Sequence, residues 1–394
     1  MLYRHLSNAT RCLSFFVVIL SLWAGAAQAA GAVGAGTPAS CTDAALDTAL
    51  TGGGLVTFNC GGGAVTITVL TIKVISLNTT IDGGNLITLS GGGVRRVLAV
   101  NPSPATLTLQ NLTIANAFGI SGSGVQNDGT LIVTNSTFTA NSAAPGNGGA
   151  IQNSGGGTVT ITNSTFSGNT ASNAVNGGGA IFNATGGGAI TITNSTFTGN
   201  SATAGNGGAI YGDSVNGQIS LRNVTISGNS AAGLGGGFYD NADNSATHNS
   251  IIANNTPNNC DGAPFPYISR YNLIGDASCG TSISGGIGNL INTNPLLAAL
   301  AGNGGPTQTM ALNAGSPAIN TGSPSLAGID ICATVDQRGT TRPQGPRCDI
   351  GAFELVAAAV ASGATGVPTL SEWTMIALML MLGVAGATRM RTVK

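Results

Sequence analysis

Along the middle of the chain, apolar and polar residues alternate in short, evenly spaced runs. Leu107/Leu109, Leu131/Val133, Val159/Ile161, Ile190/Ile192 and Ile219/Leu221 fall on one face. Thr108/Gln110, Ile132/Thr134, Thr160/Thr162, Thr191/Thr193 and Ser220/Arg222 fall on the other. A period of two marks strand. Each run is followed at once by an asparagine, giving the series Asn111, Asn135, Asn163, Asn194, Asn223 and Asn249, with steps of 24, 28, 31, 29 and 26 residues. Three positions on stands a large apolar residue: Ile114, Phe138, Phe166, Phe197, Ile226 or Ile252. Six positions on, a second asparagine appears in five cases: Asn141, Asn169, Asn200, Asn229 and Asn255. A glycine turn then leads to another strand, as in Gly149-Ala150-Ile151, Gly179-Ala180-Ile181, Gly208-Ala209-Ile210 and Gly236-Gly237-Phe238.

Three short strands and three turns per unit leave no room for a helix. Propeller blades need about 40 to 45 residues, and leucine-rich repeats follow another consensus. The pattern predicts an all-β chain whose body is a right-handed parallel β-helix, a solenoid in which equivalent residues stack into ladders. Its apolar ladders form the core, and its asparagines sit at bends where their amides bond along the stack. Weaker coils at Val65-Thr66-Ile67, Thr80-Ile81-Asp82-Gly83-Gly84 and Val97-Leu98-Ala99-Val100 extend the body toward the N-terminus. Residues 41 to 290 give about nine coils, a rod on the order of 43 Å at about 4.8 Å per coil. The expected layout is a signal peptide (1–29), an N-terminal cap (30–64), coils (65–256), C-terminal coils and cap (257–355), a linker (356–366) and a sorting tail (367–394).

Composition supports this reading. The 394 residues include 62 glycines without a triplet period, which excludes collagen. A 42% hydrophobic fraction rich in Val, Ile and Leu excludes disorder. Charged residues are only 7% and the net charge is −1, so there is no basic face for nucleic acid.

Both ends read as addresses. Arg4 and Arg11, the apolar stretch Phe15 to Ala27 and the small-x-small site Ala27-Gln28-Ala29 form a secretory signal; a retained anchor is disfavoured by the short apolar run. Near the other end an apolar run, Met375 to Ala387, is followed by Arg389, Arg391 and Lys394. It is expected to form a transmembrane helix that anchors the chain transiently, basic end toward the cytoplasm. Six cysteines remain after the signal peptide: Cys41, Cys60, Cys260, Cys279, Cys332 and Cys348. An even number in an exported chain suggests disulfides. Pairing between sequence neighbours is one of 15 connectivities. Their spacings match no zinc pattern, and neither a metal nor a cofactor is expected.

Val367-Pro368-Thr369-Leu370-Ser371-Glu372-Trp373, with the apolar run and basic end behind it, resembles the IPTLxxWG-type sorting signals, relatives of the PEP-CTERM tails. Val367 stands where that family has Ile, and Thr374 where it has Gly. The resemblance implies an exosortase-type protease as partner, a Gram-negative envelope and removal of the tail. Asn294-Pro295-Leu296-Leu297, Gly315-Ser316-Pro317-Ala318-Ile319, Asp336-Gln337-Arg338-Gly339 and Cys348-Asp349-Ile350-Gly351-Ala352-Phe353-Glu354 resemble the choice-of-anchor Q bacterial surface proteins. That resemblance spans about residues 41–355. It implies a β-helical body on a variable anchor, with no assigned activity.

Asp336, Arg338, Arg342, Asp349 and Glu354 concentrate charge in a charge-poor chain; a salt-bridged cap on the final coil is favoured over a ligand or metal site. Many parallel β-helices cleave polysaccharides with clustered carboxylates. Asp213, Asp240 and Asp243 form the best acidic cluster available, with a solvated turn as the plainer explanation. His248 occupies an outward ladder position, unlike a general base. The expected function is therefore a non-enzymatic surface or matrix protein, adhesin-like or structural, that meets a surface polysaccharide or a host or cell-surface ligand. A polysaccharide lyase or hydrolase is the alternative.

Overall fold

The computed structural model describes residues 31–101, 104–213, 217–241, 245–262, 268–279, 286–324, 332–356, 374–375 and 377–382. The chain divides into two units, Met1–Leu355 and Val356–Lys394. The first is an all-β parallel solenoid of about eight turns. A complete turn carries four strands, for example Thr130–Thr134, Thr137–Thr139, Ser142–Ala143 and Ile151–Asn153. The first two join one sheet, and the other two join a sheet each. The three strands expected per coil thus miss one. The two-residue Ser-Ala strand is too short to show a period.

Eight turns replace the expected nine because two segments counted apart belong to one turn. The strand Thr79–Ser90 stacks on both Gly54–Phe58 and Val65–Thr68, and Leu98–Val100 completes the same turn by stacking on Lys73–Ile75. At about 4.8 Å per turn the body is on the order of 38 Å long.

The two asparagine series do different work. The first makes the corner: Asn111, Asn135, Asn163, Asn194, Asn223 and Asn249 all lie at φ between 48° and 55°. Asparagine tolerates this left-handed region better than most residues. The second series is a buried amide ladder. Asn141 Nδ2 donates to Asn169 Oδ1, Asn169 to Asn200, Asn200 to Asn229 and Asn229 to Asn255, each at 2.9 Å. The residue after each corner adds a third device. Backbone N–H groups of Ser136 and Ser164 donate to the hydroxyls of Ser164 and Ser195 on the next turn, at 3.2 and 3.1 Å. The repeated Asn-Ser-Thr triplet is therefore a structural unit.

Inside, Phe138, Phe166 and Phe197 stack with centroids 4.8 and 4.7 Å apart and rings parallel within 7°. All three are fully buried, each contributing about 1.5–3 kcal/mol of transfer free energy. At the adjacent glycine turn, a Cβ on Gly149 would collide with the carbonyl oxygen of Gly179 in the next turn, so the stack closes only without a side chain there.

The N-terminal end is covered by a short helix, Asp43–Leu50, which buries Leu46 and Ala49. Thr42 caps it, accepting from the Ala45 N–H. Cys41 and Cys60 are joined, which ties the cap together. The buried Lys73 ammonium reaches back from the first turns to Asp43 (2.5 Å) and Asp47 (2.6 Å). The other disulfides are Cys260–Cys279 and Cys332–Cys348, so all three link sequence neighbours.

The described residues of 294–324 and 332–355 do not continue the coils. They form an antiparallel hairpin, Leu297–Ala301 with Thr309–Leu312, and an irregular strap. The strap runs beside the strands that follow the asparagine corners. Thr165 Oγ1 donates to the Gln308 carbonyl (2.6 Å), and Thr196 Oγ1 bonds Gln337 Oε1 (2.6 Å). Asn194 Nδ2 donates to the Val335 carbonyl (2.8 Å), and Asn249 Oδ1 accepts from the Ser323 N–H (2.7 Å). The segment read as a cap on the last coil thus braces the side of the solenoid.

In the second unit, helix is described only at residues 374–375 and 377–382. Among the described residues, no helix is long and apolar enough to cross a membrane, so the expected transmembrane anchor is not supported. About twenty residues are required. The sorting motif at 367–373 and the signal peptide at 1–29 lie outside the described residues.

Candidate functional site

The acidic cluster proposed from sequence does not assemble as expected. Asp240 pairs in register with Gly212, and through it with Asn183, Asn153 and Asn127. Those asparagines form a second buried ladder, with Asn127 Nδ2 to Asn153 Oδ1 at 2.7 Å and Asn153 Nδ2 to Asn183 Oδ1 at 2.9 Å. Asp240 occupies a rung of that inner column and is 1% exposed. Asp213 stands one residue beyond the inner position, is half-buried, and accepts from Thr185 Oγ1 at 3.0 Å. The alternation along the strand therefore separates the two carboxylates. Asp243 lies outside the described residues.

A different cluster forms on the outer side of the same sheet. Its outward column runs Gln126, Gln152, Phe182, Tyr211, Tyr239, Asp261. Tyr211 and Tyr239 stack at 4.8 Å, and Asn241 Nδ2 donates to the Tyr211 hydroxyl at 3.2 Å. Burial pushes the Tyr211 phenol up from its ordinary value of 10, helped by Asp213 and by Tyr239. Tyr239 is raised by burial, then by Asp261 and Asp213. Such phenols stay protonated at neutral pH and serve as hydrogen-bond donors and ring platforms rather than bases. Asp261 accepts from Asn258 Nδ2 at 3.0 Å. Reading for a catalytic set passed over Tyr211 and Tyr239. Their signal was an aromatic at the polar position of the glycine-turn strand on three successive turns, Phe182, Tyr211 and Tyr239.

His248 lies where the ladder put it, half-buried in the outward column between Arg222 and Arg270.

In the charged strap, every carboxylate oxygen has a partner. Asp336 Oδ2 bonds Arg338 (2.6 and 2.8 Å) and the Glu354 N–H (3.0 Å), while its Oδ1 takes the N–H groups of Arg338 and Thr340. Glu354 Oε2 meets Arg342 at 2.9 Å and the Asp349 N–H at 2.9 Å, and its Oε1 takes the Gln344 N–H. Asp349 caps the N–H groups of Asn320 and Leu355. Arg338 also lies 3.6 Å over the Phe353 ring. Burial raises Glu354 and Asp349 above their ordinary values, although hydrogen bonds and Arg342 pull the other way. A set so saturated with its own partners holds a chain in place and leaves no open coordination for an ion. Among the described residues, no group of three or more His, Cys, Asp or Glu side chains could hold a metal.

The fold and this saturated chemistry define a parallel β-solenoid braced by a C-terminal strap. Residues 365–392 match the IPTL-CTERM motif, a C-terminal sorting signal, which points to an exported, surface-targeted protein. No curated protein matches the chain.

Proposed function

We propose that this protein is a non-enzymatic surface or matrix component, adhesin-like or structural, carried out of a Gram-negative cell as a right-handed β-helix. In this reading residues 1–29 are removed on export. The tail, with Val367 to Trp373 as its recognition segment, engages an exosortase-type protease at the membrane. The strap-bearing body is of the choice-of-anchor Q kind and meets a surface polysaccharide or a host or cell-surface ligand. The observation that carries the reading is the sorting motif at 365–392 behind the solenoid. The strap carboxylates Asp336, Asp349 and Glu354 support it, because each is held by partners of its own. Deleting residues 365–392 tests it. The truncated protein should leave the surface fraction, and the cells should lose attachment in proportion. Unchanged surface retention together with unchanged attachment would sink the proposal.

One observation favours the polysaccharide-degrading alternative: Asp213 and Asp261 flank the stacked Tyr211 and Tyr239. Activity on a panel of acidic glycans, lost in an Asp213→Asn/Asp261→Asn double variant, would establish it. No activity in wild type would dismiss it.

A further inference from the structure

The broad face of the solenoid carries two adjacent outward columns rich in threonine. One passes through Thr108, Ile132, Thr160 and Thr191, and its neighbour through Gln110, Thr134, Thr162 and Thr193, so threonine fills both columns on two successive turns. Between Asp82 below and Arg222 above, these columns contain no charged side chain and no aromatic ring. Among the described residues, none of these six hydroxyls has a hydrogen-bond partner within the protein, although the strands are continuous and in register. Thr160 and Thr191 are exposed, while Val159, Ile161, Ile190 and Ile192 beneath them are fully buried.

The geometry is a two-dimensional lattice. Successive turns repeat at about 4.8 Å, and outward residues two apart on a strand repeat at about 6.7 Å. Threonine is stiff at χ1, so hydroxyl and methyl groups repeat as regularly as the backbone and lose little entropy on binding. The amide ladder from Asn141 to Asn255 holds the turns at fixed spacing.

We propose that this threonine face binds ice. Charge complementarity selects a neutral partner, since the columns are uncharged. Regularity selects a solid with two matching repeats, and the oxygen lattice on the prism faces of ice has repeats close to both. The methyl groups order water between the rungs, and the hydroxyls bond into that layer, so that it joins a growing crystal. A crystalline glycan suits the face less well, because sugar rings are gripped chiefly by aromatic stacking and the face has no ring. This site is independent of the display reading: it concerns what the exposed body touches, wherever the tail leads.

The test is partition of the full-length protein between slowly growing polycrystalline ice and the remaining liquid, with thermal hysteresis measured on single crystals. Wild type should be enriched in the ice and shape the crystals. Thr160→Tyr and Thr162→Lys variants, with wild-type far-UV circular dichroism, should lose at least about ten-fold in hysteresis. Exclusion of wild type from ice would overturn the proposal, and so would full hysteresis in both variants. Retention on crystalline cellulose or chitin combined with exclusion from ice would reassign the face to a glycan and equally overturn it.

Discussion

At the scale of single residues, asparagine carries the fold. Its amide donates and accepts along a stack of identical neighbours, and its short side chain tolerates the left-handed corner. Each buried rung is bonded above and below, and losing Asn200 leaves the Asn169 N–H and the Phe166 carbonyl without that side chain as partner. Asn200→Ala is expected to cost about 2–6 kcal/mol, taking about 1–3 kcal/mol for each buried polar group left unpaired. Denaturant unfolding followed by far-UV circular dichroism reads that loss; a change below the measurement error would show the ladder to be incidental. Asp82 offers a pH-dependent counterpart. Burial alone would raise its pKa, but bonds from the Gly84 N–H (3.0 Å), Asn111 (3.1 Å) and Gln110 (2.8 Å) outweigh burial and lower it from 3.8. Its stabilising contribution is therefore present above 3.8 and is lost as pH falls through the lowered folded value. An Asp82→Asn variant should show a flatter loss of stability in acid than wild type. Parallel acid curves would contradict this assignment.

At the scale of elements, ladders were legible and the strap was not. A ladder repeats, so Phe138, Phe166 and Phe197 announce one another at steps of 28 and 31 residues. The placement of His248 followed from the same order, whereas the local disulfide pairs stood as one of 15 connectivities. The Ser-Ala strand was missed because two residues have no period. Asp240 was misjudged because its partner is Gly212, one position short of Asp213. The strap could not be placed at all, since its contacts join residues such as Thr165 and Gln308, 143 positions apart, through a single bond each. Its charged residues were visible in sequence, but the surface they would lie on was not. Their buried pairing makes a sharp prediction. Arg342→Met leaves Glu354 buried without its partner, a loss of about 3–5 kcal/mol. The strap should become protease-sensitive near residues 294–355 while the far-UV signal of the coils persists. Resistance equal to wild type would show that the strap does not depend on the pair.

At the scale of the molecule, low charge, dense glycine and stacked polar ladders serve one end, a rigid body that carries regular faces into the surroundings. Display and binding then separate cleanly. On the proposed reading the tail governs where the body goes, and the outward columns govern what it touches. The central claim is that this solenoid is exported and sorted through its tail, and intact-mass analysis of the protein recovered from the cell envelope tests it most directly. The account predicts a species lacking residues 1–29, shortened at the C-terminus near the motif at 365–392, and carrying three intact disulfides. Recovery of the uncut chain of 394 residues from the cytoplasm, with its cysteines reduced, would contradict it.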